Sequence, residues 1–153
     1  MKSEKYVILC LLAFMGMVMT GCQSNEPQLR KMTIDLEVRQ KDWTFDKQEN
    51  RYFCQFDVPE LTGTIYNYGE VSLNREYNTR TPNAYQVALP ETTYMSEQLT
   101  DSVGNPVDEY AYYQQHVDYI YGIGFVEVDL TISDFLYGGY QPEDMLFRLQ
   151  MTY

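Results

Sequence analysis

The chain has 153 residues, 22 of them acidic and 11 basic, for a formal charge of −11. So acidic a surface repels phosphate backbones, which excludes nucleic acid as a partner. With one histidine and three cysteines, the chain is short of ligands for a zinc site, which takes three or four; no metal and no other cofactor is expected.

Residues 1–21 read as an export signal. Lys2 and Lys5 make a basic start, softened by Glu4, and residues 6–19 form an apolar run. A bilayer crossing needs roughly 20 apolar residues, so this run fits the core of a secretory signal better than a membrane span. It ends in Thr20-Gly21-Cys22, which resembles the lipobox of bacterial lipoproteins, with Met19 where leucine is usual. The resemblance implies cleavage before Cys22 and acyl chains on that cysteine. The formal charge then moves from −11 to −12, because two lysines and one glutamate leave. Residues 22–30 are polar and have too little apolar content to pack, as a flexible tether would. Cys10 departs with the signal and Cys22 is acylated, which leaves Cys54 without an internal disulfide partner. Cys54 lies among Tyr52, Phe53 and Phe56 and reads as a structural thiol; the single His116 is far away in sequence.

Residues 31–153 are long enough for one domain. The chain's 15 tyrosines and seven phenylalanines favour strands, where a ring can be buried at one end and wet at the other. Met32, Ile34, Leu36 and Val38 alternate with Thr33, Asp35, Glu37 and Arg39, the pattern of a strand with one wet face. Trp43 then covers one end of the core, and residues 46–50 make a turn. An aromatic strand over residues 51–57 stops at Pro59. Thr62 caps a short helix over residues 62–68, with Gly69 expected in the left-handed conformation at its end. Strand alternation resumes over residues 70–77, and a short strand at 85–89 stops at Pro90. Residues 91–101 carry strand-like Thr92, Thr93 and Tyr94 but are ambiguous. A turn at Val103-Gly104-Asn105-Pro106 leads to a long strand over residues 107–121. Its one face holds Tyr110, Tyr112, Gln114, His116 and Asp118; its other holds Ala111, Tyr113, Gln115, Val117 and Tyr119. Gly122-Ile123-Gly124 turns this strand into a hairpin with residues 125–132. A loop over 133–144 precedes a final strand whose Phe147, Leu149, Met151 and Tyr153 point inward. The total is about seven strands, which predicts an all-β, antiparallel, immunoglobulin-like sandwich.

The succession of Asp42-Trp43, Asp57-Val58-Pro59-Glu60-Leu61-Thr62, Gly69-Glu70-Val71, Ala88-Leu89-Pro90 and Ser133-Asp134 resembles small cell-envelope lipoproteins of unknown function abundant in Bacteroidetes. These markers are turns, caps and strand stops. The resemblance therefore implies fold and compartment, the outer membrane by expectation, and transfers no catalytic residue.

Chemistry-bearing patterns are sparse. His116 and Asp118 share a strand face, but no Gly-x-Ser-x-Gly elbow accompanies them. Oxygen-rich loops suited to calcium occur around Asp42, Asp46 and Glu49, and around Asp134, Glu143 and Asp144; neither has the EF-hand spacing, and both read as solvated loops. The sharper feature is aromatic. Tyr110, Tyr112 and Tyr113 cluster, and Tyr137 and Tyr140 flank Gly138-Gly139. These five form the candidate binding surface, because tyrosine anchors protein interfaces and its flat ring stacks on sugars. The expected role is a non-catalytic envelope module for a protein partner, with glycan binding in polysaccharide uptake as the alternative and a hydrolase as the third.

Overall fold

The computed structural model describes residues 29–133 and 141–153. Cys22, Asp134, Tyr137 and Tyr140 lie outside the described residues. Among the described residues nine strands form in chain order: β1 (Lys31–Val38), β2 (Thr44–Asp46), β3 (Arg51–Asp57), β4 (Glu70–Tyr77), β5 (Tyr85–Ala88), β6 (Glu91–Thr100), β7 (Pro106–Gly122), β8 (Phe125–Ile132) and β9 (Met145–Thr152). Among the described residues one short α-helix, α1 (Gly63–Tyr68), lies between β3 and β4, and a single 3-10 turn, Gln40–Asp42, lies between β1 and β2. The strands make two antiparallel sheets, β1-β9-β4-β5 and β2-β3-β8-β7-β6, packed as a sandwich.

The all-β sandwich follows the sequence pattern. Two strands exceed the expected seven: β2, a three-residue partner of β3, and β6, the partner of β7. The strand order also differs from an immunoglobulin domain, in which the last strand joins the sheet of its predecessor. Here β8 and β9 lie in opposite sheets, and β9 pairs with β1 on one side and β4 on the other.

That central position explains the composition of β9. Met145, Phe147, Leu149 and Met151 point into the core, the last three with no exposed surface. Val38, Leu73, Val117, Val126, Val128 and Leu130 meet them from both sheets. Trp43 packs against the core as expected and donates from Nε1 to the carbonyl of Glu143 at 3.2 Å. Cys54, half-buried opposite Val128, has its thiol pKa pushed up by burial and then by the charge of Asp42.

Thr62 caps α1, its hydroxyl accepting from the N–H of Ile65 at 3.5 Å. Gly69 is not left-handed: its φ is −95°. Glycine stands there because a Cβ would come within 2.8 Å of the carbonyl oxygens of Ile65 and Thr152, closer than backbone atoms tolerate.

Candidate functional site

β7 is the longest strand, at 17 residues. β8 pairs with it only from Gln115 onward, so residues 106–114 pair with β6 alone and form a two-stranded ribbon. At about 3.3 Å per residue this ribbon runs roughly 30 Å beyond the end of β8. Its turn is fixed by Asp101, whose carboxylate accepts from the N–H groups of Val103 and Asn105, both at 2.9 Å, and from Asn105 Nδ2 at 3.1 Å. Those donors hold the Asp101 pKa below its ordinary value, those of Asn105 contributing most.

Register decides which side chains share the ribbon's outer face. Thr92 lies opposite His116, Tyr94 opposite Gln114, Ser96 opposite Tyr112, and Gln98 opposite Tyr110. None of these eight carries a carboxylate, an ammonium or a guanidinium, in a chain of net charge −11. Three of them are open aromatic rings: Tyr94 (79% exposed), Tyr112 (72%) and Tyr110. Tyr94 and Tyr112 are diagonal neighbours across the two strands, within reach of one flat ligand. The strip is held in place by its backbone and its rim. His116 Nδ1 lies 2.8 Å from Thr92 Oγ1, Gln98 Nε2 donates to the carbonyl of Val107 at 2.9 Å, and Ser133 exchanges bonds of 2.8 and 2.9 Å with Gln114.

Of the five tyrosines expected at the binding surface, Tyr110 and Tyr112 stand together on this strip. Tyr113 does not: strand alternation turns it to the inner face, where it is 8% exposed and where burial, then Glu97 and Glu143, raise its pKa. Tyr137 and Tyr140 lie outside the described residues. Tyr94 is the ring that sequence reasoning missed, because β6 was not recognised as a strand.

A second polar cluster lies between the sheets. Glu91 on β6 accepts from the Tyr77 hydroxyl at 2.7 Å on both carboxylate oxygens and from Thr93 at 3.3 Å. Arg75 on β4 lies 3.8 Å from the same carboxylate, donates to Gln115 at 3.3 Å, and stacks over the Tyr77 ring at 4.5 Å. Tyr77 in turn stacks on Tyr85 at 4.9 Å between centroids. Burial above all, with the Glu91 hydrogen bond second, pushes the Tyr77 pKa up to about 12. Each group satisfies another, so the cluster ties β4 to β6 and β7.

Four of the acidic residues flagged by sequence have protein partners. Asp42 accepts from the Arg39 N–H at 3.0 Å, Asp144 from Gln40 at 2.7 Å, and Asp46 from Gln48 at 2.8 Å; Glu49 pairs with Arg51. Arg51 also clamps Glu127 and Asp129, the adjacent carboxylates on the outer face of β8. Asp118 accepts from its neighbour Tyr119 N–H at 2.7 Å and His116 is engaged with Thr92. Among the described residues, no three His, Cys, Asp or Glu side chains converge as metal ligands, and no helix is long and apolar enough to cross a membrane.

Comparison with protein-family models, with curated proteins and with solved structures returns no match.

Proposed function

We propose that this chain is a non-catalytic binding module of the cell envelope, held at the outer membrane by acyl chains on Cys22, and that the β6–β7 strip takes a neutral glycan. One observation carries the reading: an uncharged surface of three open tyrosines and two glutamines on an otherwise acidic molecule. Tyrosine rings offer apolar faces to the C–H faces of a sugar, and the side-chain amides and hydroxyls around them offer donors and acceptors to its hydroxyls. An anionic polysaccharide is disfavoured by the net charge.

The test has two arms. Cys22→Ala abolishes acylation, read as a change in intact mass and loss of membrane fractionation; unchanged mass and fractionation overturn the anchor. Titration of soluble neutral polysaccharides quenches tyrosine fluorescence in the purified domain; no response across a broad panel overturns the glycan.

A second reading has its own support. β6 is the edge of its sheet over ten residues, and an open edge accepts an added strand from a protein partner. Such a partner slows amide exchange along β6, whereas a glycan on the outer face leaves the edge N–H groups exchanging.

A further inference from the structure

The end of the sandwich where the chain enters carries its own exposed apolar patch. Leu29 is 77% exposed and Tyr68 86%, and Tyr66 and Ile123 are open beside them. Backbone contacts place these four at one end. Arg30, next to Leu29, exchanges bonds of 2.7 and 2.9 Å with Tyr153. Thr152, the neighbour of Tyr153, abuts Gly69 directly after Tyr68. At the other end of α1, the space beside Gly63 is closed by the Ile123 side chain at 3.7 Å. The Tyr66 ring lies 6.0 Å from Tyr121 on β7. The entry of β1, the helix α1 and the β7–β8 turn therefore share an end, and the β6–β7 turn lies at the far end of β7.

Cys22 precedes Leu29 by seven residues, a span of at most about 25 Å when fully extended. Acyl chains on Cys22 thus keep this end of the domain within one tether length of the bilayer. We infer that Leu29, Tyr66, Tyr68 and Ile123 seat the sandwich end-on against the lipid headgroups, with the tyrosine strip directed away from the membrane. Tyrosine suits that layer, its ring body apolar and its hydroxyl wet. The contact is apolar rather than ionic, since Arg30 and Lys31 at this end are offset by Glu60 and Glu70 and the chain is acidic as a whole. The occupant is accordingly a zwitterionic lipid surface. The inference rests on the acylation of Cys22 proposed above.

The test uses the acylated full chain with Cys54→Ser and one fluorophore, at Thr64→Cys on α1 or at Val103→Cys in the β6–β7 turn. Both positions are exposed. In phosphatidylcholine vesicles with brominated acyl chains, the label at 64 loses emission and shifts to the blue, while the label at 103 keeps full emission. Adding Tyr68→Ser and Ile123→Ser restores emission at 64 without changing flotation or melting temperature. Equal emission at 64 and 103 in an acylated, floating protein overturns the docking and leaves the anchor intact. An unmodified Cys22 mass, by contrast, overturns the anchor and the docking with it.

Discussion

The tyrosine strip makes its sharpest prediction through the pair Tyr94→Ala and Tyr112→Ala. A tyrosine side chain contributes on the order of 150–250 Å² when fully covered. With 79% and 72% of these two residues open, a flat ligand over one ring face removes about 60 Å² from water. At ~25 cal/mol per Å² that contributes about 1.5 kcal/mol, or roughly tenfold in Kd for each ring. The rings are diagonal neighbours, so they share a ligand and their losses need not add; the double variant loses between tenfold and a hundredfold, to order of magnitude. Folding pays almost nothing, because substitutions on an open surface stay within about 0.5 kcal/mol. The assay is calorimetric titration with whichever neutral polysaccharide binds the wild type, beside thermal melts of all four proteins. A double variant that binds within about twofold of wild type refutes the strip as the ligand surface. A drop in stability above about 1 kcal/mol refutes the premise that the rings are free.

Three further predictions concern the scaffold. Phe147→Ala empties the centre of the core, where the ring has no exposed surface, and costs about 3–5 kcal/mol by urea denaturation; a loss under about 1.5 kcal/mol contradicts the packing described. Tyr77 has its pKa raised to about 12 from 10.0, so its contribution to stability is complete below pH 10 and disappears as pH rises through 12. Tyr77→Phe therefore flattens the alkaline decline of the urea midpoint; parallel curves for variant and wild type contradict the cluster. Asp101, with its pKa lowered from 3.8 by the turn donors, contributes above that pH and stops contributing as pH falls through its folded value. Asp101→Ala speeds amide exchange at Val103 and Asn105 at neutral pH, with β9 protection unchanged; a uniform change across both regions rules out a local role.

The legible strands were those with one dry face. β1 alternates apolar and polar throughout and β9 does so apart from Leu146. In each the expected apolar set faces the core, buried at Leu36, Val38, Phe147, Leu149 and Met151 and partly buried at Met32, Ile34 and Tyr153. β6 alternates too, but both of its sets are polar or half-wet, so the period of two carries no contrast in hydrophobicity. Only its pairing with β7 makes it a strand, and pairing is not a property of a single segment. The same gap hid Tyr94. The error over Tyr113 was of another kind: the alternation already set it apart from Tyr110 and Tyr112, and nearness in sequence was mistaken for nearness in space. Gly69 illustrates a third kind. A glycine after a helix suggests a left-handed cap, while the cause here is the approach of Thr152, a residue more than 80 positions later in the chain. The order of β1, β9 and β4 was out of reach for the same reason, since no local signal specifies so distant a neighbour.

The place of β9 has a consequence for how the molecule comes into being. β1 and β4 touch no common partner until β9 lies between them, yet β9 follows the other eight described strands in the chain. Until then one half of the sandwich consists of two separate pieces, with the apolar faces of Leu36, Val38 and Leu73 uncovered. Closing it requires joining residues more than a hundred positions apart, which makes completion late and slow. The four-stranded sheet therefore stays open, its β1 and β4–β5 pieces unjoined, until the eight residues of β9 are in place.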